Sequence, residues 1–327
     1  CFNGGISINN VDEISHSIVA AINSKEKSKF ILGGQNISYY DLIKNIKNKS
    51  NKFFILFKLP NFLLKLISPC LSILSKFSNK FFLLKKQIDY SKKAITSFTY
   101  LSSKNSVQNL RYKVRSIDFI VSQILKNCER HCYKIHNLGK HNFFFNSDLK
   151  INKVNKKSRI LITGVPGNLG NAFIDFIIKY NSLNKDKIYC NLLIQKKFEG
   201  LINLPKEFRI YYGSLSDKKV IKKSIKNVKN VFHLASKIYD TSATSIYETN
   251  YTSSKVFCET LIKNKIKKII FMSTDSVLGY EKNNISFNDD KNYKPFGIYG
   301  KSKKKFEDYL ILKGKEKKIT YTIIRSF

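Results

Sequence analysis

Between positions 158 and 327, short unbroken apolar runs alternate with stripes of helical spacing. Arg159-Ile160-Leu161-Ile162-Thr163 has the length of a buried strand. After a glycine turn, Ala172-Phe173-Ile174-Asp175-Phe176-Ile177-Ile178 reads as an apolar helix. Further strand-like runs follow at 188–195, 208–212, 228–234, 266–273 and 320–325, with helices such as 250–263 between them. This β-α-β alternation predicts an α/β unit, a parallel sheet with helices on both faces.

The pattern before position 128 differs. Ser38 caps a helix running through Leu42 and Ile46. A last helix is expected over 117–125. Between 51 and 84, Phe, Leu and Lys crowd together and Pro60 and Pro69 act as breaks. Leu63, Leu64, Leu66, Ile67, Leu71 and Leu74 share a helix face there, which favours packing in a core or under a lid over lying on a membrane.

Composition changes the picture only in part. The chain has 327 residues, enough for one large α/β domain or two smaller ones, and 43% of them are hydrophobic. Its formal net charge is +36, which taken alone points to nucleic acid or an anionic surface. The lysines are scattered through every segment, alongside abundant Asn, Ile and Phe, so a biased codon usage explains the charge and no nucleic-acid partner is expected. Six cysteines contain no C-x-x-C pair, which fits a reduced, cytoplasmic protein. No signal peptide and no run of ~18 apolar residues is visible, so no membrane partner is expected. The one methionine is Met272, so the chain is expected to begin within a longer polypeptide.

Two clusters carry candidate chemistry of their own. Cys128, His131, Cys132 and His136 have thiols and imidazoles suited to zinc, but their spacing matches no zinc module, and no metal site is expected. Gly164, Gly167 and Gly170 are spaced G-x-x-G-x-x-G between a strand and a helix. Such glycines allow a tight turn, close approach of the backbone to a pyrophosphate and close helix–strand packing. Gly167, Asn168, Leu169 and Gly170 would then present the helix N-terminus to the phosphates.

Downstream, Val231-Phe232-His233-Leu234-Ala235-Ser236, then Ser273-Thr274, then Tyr299-Gly300-Lys301-Ser302-Lys303 follow in order. With the glycine turn, this series resembles the extended short-chain dehydrogenase/reductase family, which includes nucleotide-sugar epimerases, dehydratases and dihydroflavonol-reductase-like enzymes. The resemblance implies a Rossmann-like doubly wound sheet over residues 158–327. It also implies an NAD(P)-dependent oxidoreductase or epimerase that transfers hydride at a hydroxyl or ketone carbon of a sugar nucleotide or similar substrate.

The roles implied by the resemblance are specific. Tyr299 would exchange the proton of the substrate oxygen, Thr274 would hydrogen-bond that oxygen, and Lys303 would favour the phenolate and hold the nicotinamide ribose. His233, Ala235, Ser236 and Asn250 would lie along the cofactor. Gln195 and Lys196 end the second strand where an acid would select NAD. With no acid there, NADP is expected over NAD. Ser214 departs from the family's usual aspartate on the adenine side. A small-molecule substrate and, at most, a second copy in a homodimer are the expected partners.

Residues 1–127 resemble the C-terminal, substrate-side half of the same family, a mostly helical α+β segment. Gly5-Ile6-Ser7-Ile8-Asn9-Asn10-Val11-Asp12-Glu13-Ile14 looks like the family's strand-then-helix, with the helix over 14–22. Residues 30–38 look like one family strand, and Leu101-Ser102-Ser103-Lys104 with Leu110-Arg111-Tyr112-Lys113-Val114-Arg115-Ser116-Ile117 looks like its closing signature. Arg111 and Val114 stand where the family has glycine and proline. The halves therefore run in inverted order, joined by a linker over 128–157 that spans up to ~100 Å. A window cut from two tandem units is the simplest expectation, and a circular permutant is the alternative. A catalytically inactive dinucleotide-binding or scaffolding fragment of a tandem protein is the competing functional reading.

Overall fold

The structure is a computed structural model that describes residues 4–24, 27–50, 55–58, 69, 72–74, 76, 96–129, 158–200, 202–240, 242–280 and 294–326. Most of the expected leucine face at 63–71, and His131, Cys132, His136 and the side chain of Cys128, lie outside the described residues.

The first segment forms β1 (Gly5–Ile8), α1 (Val11–Ala20), β2 (Ser28–Leu32), β3 (Gln35–Ser38), α2 (Tyr39–Lys49), β4 (Phe98–Thr99), α3 (Lys104–Leu110) and α4 (Ile117–Glu129). Helix α1 starts earlier than the family likeness suggests. Asn10 caps it, its Oδ1 accepting from the Asp12 and Glu13 amides at 2.8 and 3.3 Å. Residues 30–38 are two strands, not the single one expected. The chain breaks at Gly33-Gly34, where it is pressed against the backbones of Leu101 and Ile8. Past that break β3 pairs antiparallel with β1, and β4 adds to β1 in parallel.

The second segment alternates as expected: β5 (Arg159–Thr163), α5 (Asn168–Leu183), β6 (Cys190–Ile194), β7 (Phe208–Tyr212), α6 (Lys218–Ser224), β8 (Val228–His233), α7 (Ala243–Tyr247), α8 (Ser254–Lys263), β9 (Lys268–Thr274), α9 (Gly297–Lys315) and β10 (Thr320–Ser326). The expected helix at 250–263 begins instead as a π-helical stretch, Glu248–Ser253, leading into α8.

The large sheet has seven parallel strands in the order β2-β10-β9-β8-β5-β6-β7. It is a doubly wound, Rossmann-like α/β sheet. Strand order reverses at β5, which has β6 on one side and β8 on the other, so a crevice opens beyond the C-terminal ends of these strands. The seventh strand comes from the first segment: β2 lies beside β10, from Thr322 opposite Ser28 to Ser326 opposite Leu32. Lys268 Nζ ties the two segments at the other end of the strands, donating to the Ile22 and Ser24 carbonyls at 3.0 Å.

The two-residue period of β5 distributes the core. Ile160 and Ile162 pack with Phe173 and Phe176 of α5 on one face. Leu161 packs on the other with Phe257 and Leu261 of α8 and Phe306 and Leu310 of α9. Each of these side chains is buried, a burial worth about 1.5–3 kcal/mol apiece. The two faces together hold the strand ends that carry the site in fixed relation.

Candidate active site

The loop between β5 and α5 is shaped by close backbone contacts. Gly164 has φ of +92°, and a Cβ there would sit 2.6 Å from the Ala235 amide nitrogen. A Cβ on Gly170 would collide with the Gly164 carbonyl oxygen, so the first turn of α5 rests directly on the loop. Gly167 occupies the N-cap position and supplies no side-chain cap. The amides of Asn168, Leu169 and Gly170 therefore have no partner from the helix itself and collect at an open, positively polarised end. Gly167 and Asn168 are exposed there, Leu169 is half-buried and Gly170 is buried. Backbone N–H groups at a helix N-terminus without a side-chain cap fit a diphosphate.

His233, at the end of β8, lies behind this loop. It is fully buried, with Nδ1 2.9 Å from Thr163 Oγ1 and Nε2 2.9 Å from Ser254 Oγ. Burial, reinforced by the Lys303 charge, pushes its pKa down to about 3, so the ring is neutral at working pH. Thr163 Oγ1 also accepts from the Ala235 amide at 3.3 Å. The imidazole thus braces the loop through Thr163, while Ala235 and exposed Ser236 follow it along the crevice. Gln195 and Lys196 follow β6 directly and are exposed.

Asn250 is buried in the π-helical stretch and acts as a cleat. Its Oδ1 accepts from the Lys237 amide at 2.8 Å, and its Nδ2 donates to the Lys237 carbonyl at 2.9 Å and to Ser302 Oγ at 3.3 Å. One side chain thereby fixes the loop after β8 to α9.

Thr274 lies on β9, and Tyr299 and Lys303 lie on α9, which packs against that strand and the turn after it. Thr274 ends the strand, and α9 starts against the turn that follows, where the Phe296 amide donates to the Ser276 carbonyl at 3.1 Å. Gly300 presses on that same carbonyl. Tyr299 is half-buried in the first turn of α9, and Lys303 sits one turn on, 1% exposed. Lys303 Nζ lies 4.4 Å from the centroid of the Phe271 ring. Burial pushes its pKa down to about 7, and the Glu307 carboxylate partly opposes the shift.

Two residues beyond the sequence expectation also stand here. Asp275 is 7% exposed and accepts from Thr274 Oγ1 at 2.9 Å. Burial raises its pKa to about 6, against hydrogen bonds that lower it. Tyr39, from α2 of the first segment, has its pKa raised by burial and by the Asp275 charge. The first segment therefore borders the site, and Ile31 and Leu101 pack with Val277 and Leu278 beneath the turn. Asp275 had a signal in its place directly after the strand-end hydroxyls. Tyr39 had none.

Among the described residues, no three His, Cys, Asp or Glu side chains group as a metal site. No described helix is long and apolar enough to cross a membrane.

The model of the "NAD dependent epimerase/dehydratase family" matches residues 160–327, just over half of the chain. A probable UDP-arabinose 4-epimerase of Arabidopsis thaliana is 27% identical over 179 residues, 52% of this chain and 43% of that protein. An uncharacterized membrane protein of Methanocaldococcus jannaschii is 25% identical over 127 residues, 38% of each. A Thermotoga maritima UDP-glucose 4-epimerase solved with UDP-glucose is 25% identical, with 51% of this chain and 54% of that one covered and a TM-score of 0.43. The chain thus spans about half or less of the length of these proteins.

Proposed function

The chain belongs to the NAD dependent epimerase/dehydratase family, and from that premise we propose that it binds a nicotinamide dinucleotide and catalyses hydride transfer at a hydroxyl or ketone carbon of a sugar nucleotide. The observation that carries this reading is one shared edge: the uncapped α5 N-terminus and the Thr274–Tyr299–Lys303 group both lie at the C-terminal ends of the parallel strands. The relative from A. thaliana and the structure from T. maritima are named as epimerases of UDP sugars, which supports that substrate class.

The glycine loop would hold the diphosphate on the amides of Asn168, Leu169 and Gly170. The nicotinamide supplies the hydride acceptor or donor. Tyr299 takes the proton from the substrate hydroxyl, or returns it to the ketone. A phenol with pKa ≈ 10 needs ~4 kcal/mol of differential stabilisation to work near neutral pH. The Lys303 ammonium one turn away, shielded from water, favours the phenolate in that way. The Thr274 hydroxyl orients the same substrate oxygen. Exposed Gln195 and Lys196, standing where an acid would select NAD, favour NADP over NAD. Residues 1–127 serve as the substrate-side part, with Tyr39 beside Asp275.

Incubating the chain with UDP-hexoses and NADP or NAD, and following nicotinamide absorbance and product stereochemistry, tests the reading. Turnover that disappears in Tyr299→Phe is expected, and equal turnover in that variant contradicts it. Ser214, exposed where the family carries an aspartate, favours a second reading, cofactor binding without transfer. Saturable binding with no turnover of any UDP-hexose in the full-length parent would select it.

A further inference from the structure

Lys303 does not stand alone in the interior. Glu307 follows it by four positions on α9, so both project from one face of the helix. Arg325 on β10 grips Glu307 with two parallel hydrogen bonds, Nε to Oε1 at 3.0 Å and Nη2 to Oε2 at 2.7 Å. All three side chains are nearly or fully removed from solvent: 1% exposure for Lys303, 0% for Glu307 and 3% for Arg325. Two cations and one anion thus share the packed seam between α9, β9 and β10.

We propose that Glu307 is the counter-charge that keeps Lys303 protonated one turn from Tyr299, and is therefore a positioning residue of the catalytic pair. The proposal rests on the reading of Tyr299 and Lys303 given above and adds to it what governs the lysine.

The surroundings of Lys303 support the assignment. His233 on β8 is neutral and offers no negative charge. Phe271 on β9 presents its ring face, which favours the ammonium only modestly. Tyr299 lies one turn back on the same helix. Asp275 belongs to the turn after β9, on which α9 packs, and its proton is hydrogen-bond controlled by Thr274 and Ser276. Arg325 is a second cation and opposes the lysine charge. Glu307 is the carboxylate that raises the Lys303 pKa against burial. Removing it leaves two buried cations without a counter-ion, a costly arrangement that deprotonating the lysine relieves.

The opposing signs of Glu307 and Arg325 provide the test. Chain labelled with 13C at the lysine ε-carbon is titrated by NMR without cofactor or substrate. The Lys303 resonance is identified by its loss in Lys303→Met. Because Lys303 titrates near 7, it separates from surface lysines, which titrate near 10.4. Glu307→Gln is expected to move the Lys303 midpoint down by about one pH unit or more, and Arg325→Gln to move it up by a similar amount. A midpoint unchanged in both folded variants, or shifted in the same direction by both, overturns the proposal. If Glu307→Gln does not fold, Arg325→Gln alone decides: an upward shift supports the proposal, and an unmoved or lowered midpoint refutes it. The titration reads the lysine directly, so failure of this inference is distinguishable from failure of the hydride-transfer reading, which shows instead as absent cofactor binding.

Discussion

Replacing Asn250 with alanine removes three hydrogen bonds at one point. The amide accepts from the Lys237 N–H, donates to the Lys237 carbonyl and reaches Ser302 on α9. A typical hydrogen bond contributes about 0.5–1.5 kcal/mol net, and a buried group left without a partner costs about 1–3 kcal/mol. Lys237 is half-buried, so water recovers part of the loss, and the sum is about 3 kcal/mol. For a chain of 327 residues, with an unfolding entropy of about 2.1 cal/mol/K per residue, that lowers Tm by roughly 4 °C. The loop bearing Ala235 and Ser236 also loosens, so dinucleotide affinity should fall by tenfold or more while the rest of the fold survives. Differential scanning calorimetry and nicotinamide titration measure the two effects. Asn250→Asp refines the test, because its carboxylate still accepts from the Lys237 amide but now opposes the Lys237 carbonyl. Facing that carbonyl in a buried site, the acid has a raised pKa, so stability is retained at low pH and lost as pH rises through it. An alanine variant within a degree of the wild-type Tm, or an aspartate variant with no pH dependence relative to wild type, would refute the cleat.

Lys303→Met should alter the alkaline side of the stability profile. The folded pKa of Lys303 is about 7 against an ordinary 10.5, so the wild type regains stability as pH rises from 7 towards 10. Between pH 7 and 9 the gain is about 2 kcal/mol. Calorimetry should show the wild type gaining on the variant by that amount, and a constant difference would contradict the burial of a charged lysine. Asp275→Asn tests the acid side. Asp275 is raised from 3.8 to about 6, so its contribution to stability is present below pH 4 and lost as pH rises to 6, by about 3 kcal/mol. His233, depressed to about 3, acts in the opposite sense, its contribution being lost as pH falls below 6.5. The asparagine variant should therefore gain on wild type from pH 4 to 7 and expose the histidine's acid limb. A parallel pair of profiles would show that Asp275 is not raised.

What was legible in the sequence was local. The β5-loop-α5 unit follows from a five-residue apolar run, spaced glycines and a helical stripe, all within twenty neighbouring positions. The same holds for Tyr299 and Lys303, which one helix turn brings together whatever surrounds them. Other features depend on partners distant along the chain. The pairing of β2 with β10 joins Ser28 to Thr322, and nothing in either strand's composition names the other. Residues 30–38 looked like one family strand. The break at Gly33-Gly34 is imposed by the backbones of Ile8 and Leu101, which only the folded chain puts there. The π-helical stretch around Asn250 arises in the same way, since the side chain's partners sit on Lys237 and Ser302. Glu307 reads as an ordinary polar position, and only burial beside Arg325 and Lys303 gives it its chemistry.

The central claim is that the α5 N-terminus with its glycine loop is a dinucleotide site serving Tyr299 and Lys303. Titrating the purified chain with NADPH and NADH, by nicotinamide fluorescence and thermal shift, tests it most directly. Gly167→Asp is the control, because a carboxylate at the N-cap would take the amides and repel the diphosphate. The account predicts saturable binding, tighter for NADPH, that is lost in Gly167→Asp. Absence of binding to either cofactor by a folded chain, or binding unchanged in Gly167→Asp, would contradict it.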